Sequence, residues 1–223
     1  MLTRIESPIR YRLVRIGMLV TLFASFAANV AAQRDVSSEA FKESAQLRKR
    51  EQRVANDIDE YVDRLDKTER ALTRLRRTDG DALRKRYQSF SEELKKLEEA
   101  ETRTIADIDK MKAAGLDSFS SWEKANASIT DATLREAAAS RRFRMMTRHI
   151  ELAQTIDRIG LELQPLMSSL RDIRAFLGAD PSPANIRTAE ERIRNCEVTT
   201  KALKSRIAEV QRMFDRLLME TPG

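Results

Sequence analysis

Residues 183–219 read PANIRTAEERIRNCEVTTKALKSRIAEVQRMFDRLLM, and Ile186, Ala189, Ile193, Cys196, Thr200, Leu203, Ile207, Val210, Phe214 and Leu217 follow one another there in alternating steps of three and four. That spacing keeps every one of these side chains on a single stripe of an α-helix, and sustained over several heptads it marks a coiled-coil seam. A strand would need alternation by two, which the stretch does not show. Just upstream, Asp180-Pro181-Ser182-Pro183 is a loop in which Ser182 can cap the helix and Pro183 suits its first position.

The same pattern repeats upstream. Met145, His149, Leu152, Ile156, Ile159, Leu163, Leu166, Leu170, Ile173 and Leu177 define a third helix over about 131–177, ending at Gly178 and preceded by cap candidates in Ser128-Ile129-Thr130-Asp131. Val54, Ile58, Tyr61, Leu65, Thr68, Leu72 and Leu75 define a first helix over about 36–78, closed by Thr78-Asp79-Gly80. The second, over about 81–127, opens with Leu83, Tyr87, Phe90, Leu94 and Leu97, then changes register near Glu101 onto Ile105 and Ile108. Gly115 weakens it by about 1 kcal/mol relative to Ala without forbidding continuity. Short connections force antiparallel neighbours, so the fold class is all-α: an elongated up-down-up-down antiparallel helical bundle of four long helices, its seams supercoiled left-handedly. Acid-before-base pairs at Glu60–Arg64, Asp63–Lys67, Asp66–Arg70, Glu92–Lys96 and Glu190–Arg194 mark solvated faces.

Composition agrees. The 223 residues include six Gly and five Pro, about 5% where about 12% is usual, too few for the corners of sheets and nucleotide-binding turns. A single Cys excludes an intramolecular disulfide framework, and with a single His it excludes the usual zinc sites. No nucleophile–base pair, metal cluster or phosphate loop is readable, so no enzyme, cofactor or small-molecule substrate is expected.

Residues 1–32 differ from the rest. Arg4, Arg10, Arg12 and Arg15 precede an uncharged stretch from Ile16 to Gln33, and Val30-Ala31-Ala32 supplies small residues before Gln33. These features predict a secretory signal peptide cut after Ala32, with an uncleaved N-terminal anchor as the alternative. In both readings the remainder, residues 33–223, is one helical domain exported to the periplasm or envelope. The net charge of +6 and pI near 9.6 suggest nucleic acid. Without residues 1–32, however, 37 basic face 34 acidic side chains, a net charge of +3. That balance, export and the absence of a base-reading motif exclude a nucleic-acid partner.

Several residues stand out from the pattern. His149 on the third seam reads as a tolerated polar residue or register marker, with a pH-sensitive packing switch as the sharper alternative. Cys196 reads as a small buried hydrophobe or as the half of an intermolecular disulfide. Pro165 removes a helical hydrogen bond and predicts a kink, and Trp122 plugs a bundle end. Two basic clusters, Arg70, Arg74, Arg77, Arg84, Lys85 and Arg86, and Arg141, Arg142, Arg144 and Arg148, are candidate surfaces for an anionic envelope partner.

Trp122-Glu123, Ile129-Thr130-Asp131-Ala132-Thr133-Leu134-Arg135, Gln164-Pro165-Leu166-Met167, Leu170-Arg171-Asp172-Ile173, Phe176-Leu177 and Ala184-Asn185-Ile186 occur in that order. Over about 119–210 the chain resembles an uncharacterised bacterial family of exported, coiled-coil-rich proteins, a domain of unknown function. It departs from that family where Gly178-Ala179-Asp180-Pro181-Ser182-Pro183 replaces an Asn-rich turn. The resemblance implies a bacterial envelope protein and carries over no catalytic residue. The expected role is a non-enzymatic spacer, scaffold or adaptor working through its helical surface, with protein partners or self-association. The alternative is a periplasmic holdase-type chaperone.

Overall fold

The computed structural model describes the backbone of residues 9–220 and the side chains of residues 35–219. It contains α1 (Ile9–Arg76), a single 3₁₀ turn (Gly80–Ala82), α2 (Leu83–Ala127), α3 (Ala132–Ala179) and α4 (Pro183–Glu220). The leader read over residues 1–32 lies outside the described side chains. Among the described residues no helix is long and apolar enough to cross a membrane.

The helix ends follow local chemistry. Gly80 has φ +68°, a left-handed conformation that L side chains rarely adopt, and it turns the chain from α1 into α2. Asp131 caps α3 by accepting a hydrogen bond from the Leu134 amide at 2.8 Å. Ser182 does the same for Asn185 at 3.4 Å, and Pro183 is the first residue of α4. Two boundaries differ from expectation. α1 begins well before residue 36, because neither Gly nor Pro occurs between Gly17 and Gly80 to stop a helix. α3 carries Gly178 inside its last turn and ends at Ala179.

Cross-helix polar contacts fix an antiparallel arrangement. Lys204 of α4 bonds Asp66 and Glu69 of α1 at 2.6 and 3.0 Å, and Gln211 bonds Asp59. Higher on the same pair, Glu197 accepts from Thr73 at 2.7 Å. Arg171 and Arg174 of α3 grip Glu98 of α2, and Lys112 bonds Asp157 further along the same pair. Arg192 reaches Asp172, and Arg206 reaches Glu162, between α3 and α4. The helices therefore surround one core in chain order, with α4 closing against α1. At about 1.5 Å per residue, the 45 residues of α2 span about 68 Å. Of the local pairs read from sequence, those at Glu60–Arg64, Asp63–Lys67 and Glu190–Arg194 form. Asp66 pairs with Lys204 instead, and Lys96 with Glu93.

All ten seam positions of α4 and nine of the ten on α3 are buried; Leu163 is half-buried. α2 departs from the predicted pattern. Its seam does not move onto Ile105 and Ile108 but continues through Ala100, Thr104, Asp107, Met111, Gly115 and Ser118. Ile105 is 54% exposed. The reason is the tight α1–α2 contact, where Thr104 Oγ1 donates to the backbone carbonyl of Asp57 and the Ser44 and Ser118 hydroxyls meet at 3.4 Å. Apart from Met111, small or short polar side chains fill this stretch, so the hydrophobic signal steps aside from the true seam.

Phe214→Ala removes a large, fully buried ring from α4 and lowers stability by about 3–5 kcal/mol. Val198→Ala, on a face 70% exposed, changes it by less than about 0.5 kcal/mol. Guanidinium unfolding followed by helical circular dichroism separates the two.

Candidate functional site

The apolar seam is interrupted by ionisable groups. Extending the 3,4 spacing of α1 backwards from Val54 gives Glu51 and Leu47, and both are buried, Glu51 to 1% exposure. Diagonally across the core stands His149 of α3, 5% exposed, its Nδ1 at 3.1 Å from Glu51 Oε1. The second oxygen, Oε2, is buried without a hydrogen-bond partner. Phe119 of α2 meets the imidazole edge-on at 5.7 Å between centroids. The ring fits only because α2 has Gly115 there: a Cβ at that position would lie 2.3 Å from His149 Nε2. Gly115, an unexplained weak spot in a helical pattern, is the clearance for the histidine.

The Glu51–His149 pair is the most deeply buried pairing of ionisable groups described. A carboxyl group held against an imidazole fixes the ring's orientation through their hydrogen bond. Phe119 and Gly115 press on the ring, and the cavity between α2 and α3 that it borders is lined also by Lys112, Ser120, Glu123, Arg142 and Asp157. Among the described residues no group of three His, Cys, Asp or Glu could hold a metal ion.

Further along α1–α2, Asp57 and Asp107 face each other. Burial raises the Asp57 carboxyl above its ordinary value, and the hydrogen bond and negative charge shared with Asp107 raise it further, while Arg103, at 3.8 Å, and Arg53 oppose the shift. Asp107 is held low by its hydrogen bond from Lys110 at 2.6 Å. The arrangement is a carboxyl beside a carboxylate, with Asp57 as the member that keeps a proton longer.

The two basic clusters lie at opposite ends of the bundle. Arg74, Arg77, Arg84, Lys85 and Arg86 are exposed around the α1–α2 turn, with Arg70 exposed one turn below Arg74, and among the described residues no ion pair involves these six. Arg76, between them, is instead tied to Glu190 and Glu197 of α4. At the other end, Arg142 bonds Glu123 and the Phe119 carbonyl, Arg144 bonds Ser140, and Arg141 is exposed beside Arg148. Arg148 leads directly into His149. α3 is unbroken as a helix through Pro165. Cys196 is 3% exposed, and burial raises its thiol to about 11, which keeps it protonated and unreactive at neutral pH. Trp122 is half-buried and packs on Phe119, with 6.3 Å between centroids.

Residues 43–217, which hold all of these groups, match the family described as "Protein of unknown function (DUF2959)". The chain belongs to the DUF2959 family. The matched region takes in α1 from Glu43 onward, well beyond the 119–210 over which the sequence resemblance was clearest, and so includes Glu51 as well as His149. No curated protein and no solved structure matches the chain.

Two predictions concern this DUF2959 core. His149→Leu leaves Glu51 buried without its partner and destabilises by about 3–5 kcal/mol, whereas Glu51→Leu combined with His149→Leu is neutral or stabilising. A double variant as unstable as the single one, by chemical denaturation, would remove the pair from this account. The second prediction is pH-dependent. Because Asp57 binds its proton more tightly in the folded chain, ionising it costs stability as pH rises from its ordinary 3.8 through the raised value. Asp57→Asn therefore stabilises the chain at pH 7, and the gain shrinks toward pH 4. Urea denaturation at both pH values measures it; equal gains at the two would contradict the assignment.

Proposed function

We propose that this protein is an exported, non-enzymatic component of the bacterial cell envelope that acts as a spacer or adaptor, contacting other proteins through the ends of its bundle. The observation that carries this reading is the start of α3. Residues 132–144 include no fully buried side chain, and Leu134 and Phe143 are 64% and 62% exposed among Arg141, Arg142 and Arg144. Continuing the Lys204–Asp66 and Gln211–Asp59 register, Glu220 of α4 falls level with about residue 50 of α1. Apolar side chains among arginines suit an acidic, partly apolar protein surface. The basic turn around Arg84 sits at the opposite end of helices that span about 68 Å, a separation suited to a spacer. Export to the periplasm or envelope rests on the leader features of residues 1–32.

The holdase reading draws on the same exposed Leu134 and Phe143, since such a surface also grips unfolded chains. Photo-crosslinking in intact cells separates the two. A spacer or adaptor gives discrete adducts from probes at Phe143 and Arg84 and none from the mid-body position Arg158. The pattern is lost from the first site in Arg141→Glu with Arg144→Glu. A holdase gives a smear of adducts and suppresses aggregation of an unfolded outer-membrane protein at near-stoichiometric ratio. Adducts equally strong at all three positions would count against both.

A further inference from the structure

Between α2 and α3, at mid-height, lies a hollow of about 430 Å³ whose floor reaches α1 and α4. Its walls are mostly apolar, with Ile105, Ile108, Ile156, Leu163 and Val210 among them. The hollow follows from the α2 seam: where Thr104 and Asp107 face α1, Ile105 and Ile108 stand to one side and line an opening rather than a packed contact. Two further observations distinguish it from ordinary slack between helices. Tyr61, on the floor, is only 5% exposed, yet its hydroxyl is buried without a hydrogen-bond partner, which folded chains rarely leave without cause. On the exposed rim of the hollow, α3 carries Gly160, and a Cβ there would meet nothing within 4 Å.

We propose that this hollow is a binding site for a neutral, elongated apolar molecule carrying one hydrogen-bond acceptor, a carbonyl or an alcohol oxygen, to which the Tyr61 hydroxyl donates. The volume falls in the range of small-molecule sites, which fix orientation by a few placed polar groups; here the buried one without a partner is the Tyr61 hydroxyl, while Gln164 stands exposed at the mouth. The charges at the mouth select against an anion. Glu101, Asp109 and Asp157 line it with Lys112; Lys112 is bonded to Asp157 at 2.5 Å and Glu101 is paired with Arg171 at 2.9 Å, which leaves the negative charge of Asp109 at the mouth. A fatty-acid carboxylate would meet net negative charge there, whereas a ketone, ester or alcohol would not.

The full chain is titrated with the neutral fluorescent probe N-phenyl-1-naphthylamine, then with competitors. Saturable binding of one probe per chain is expected, with displacement by 2-dodecanone at least about tenfold more effective than by dodecanoate. Tyr61→Phe weakens 2-dodecanone about three- to tenfold, the scale of one neutral hydrogen bond, and leaves n-dodecane within about twofold. Gly160→Leu and Gly160→Met fill the hollow and weaken the probe at least about tenfold. Both keep helicity and the thermal midpoint, because they replace a poor helix former where space is open. No saturable binding, or probe binding unchanged in both Gly160 variants, overturns the site. Equal displacement by dodecanoate overturns the neutral class, and equal weakening of ketone and alkane by Tyr61→Phe overturns the role of the hydroxyl.

Discussion

The close approach of α1 and α2 conditions the rest of this bundle. Ala100, Thr104, Gly115 and Ser118 put little bulk between the two helices, and the contact is near enough for a side chain to reach a backbone carbonyl across it. Beside Met111 this stretch is filled by small and short polar side chains, so polar groups enter the seam and must find partners there. Asp57 with Asp107, and Glu51 with His149, are the result. It also leaves the large side chains of α2 facing sideways, so the α2–α3 contact is held by ion pairs at intervals and stays open between them.

The interhelical ion pairs matter more for arrangement than for stability. Most are partly exposed, and such pairs contribute roughly 0–1 kcal/mol each. Lys204 between Asp66 and Glu69 and Arg171 between Glu98 and Glu101 each bridge two acids one turn apart, and Arg76 bridges Glu190 and Glu197 two turns apart. A cation between two acids on a neighbouring helix sets the level at which the helices meet, which a greasy stripe alone leaves free to slide. These contacts select the neighbour order of the four helices from among several that would bury the same apolar area.

The seams of α3 and α4 were legible because bulky apolar residues occupy them without interruption, and packing obeyed the period. The second half of α2 was not, because a residue such as Thr104 is buried for its smallness, a property that hydrophobic periodicity does not register. Glu51 could have been found: it lies on the α1 stripe once the spacing is run upstream from Val54. Its pairing with His149 could not, since the two are on helices that are not neighbours in the ring, and no local pattern links residues 98 positions apart. Gly115 shows the same limit from the other side. Its cost to α2 was readable, while its purpose resides in the imidazole of another helix.

The uneven filling of the core has a mechanical consequence. From Leu65 and Leu97 toward the basic α1–α2 turn, the interior is almost entirely aliphatic and aromatic, with Thr68 and Thr200 as its buried polar members. From Asp57 toward the start of α3, it holds a carboxyl hydrogen-bonded to a carboxylate, an acid–imidazole pair and buried serines. Cohesion per unit length therefore falls from one end of the rod to the other. Thermal agitation or pulling on the molecule will part the helices first beside Glu51, leaving the aliphatic end as a clamp that holds the splayed ends together and lets them close again.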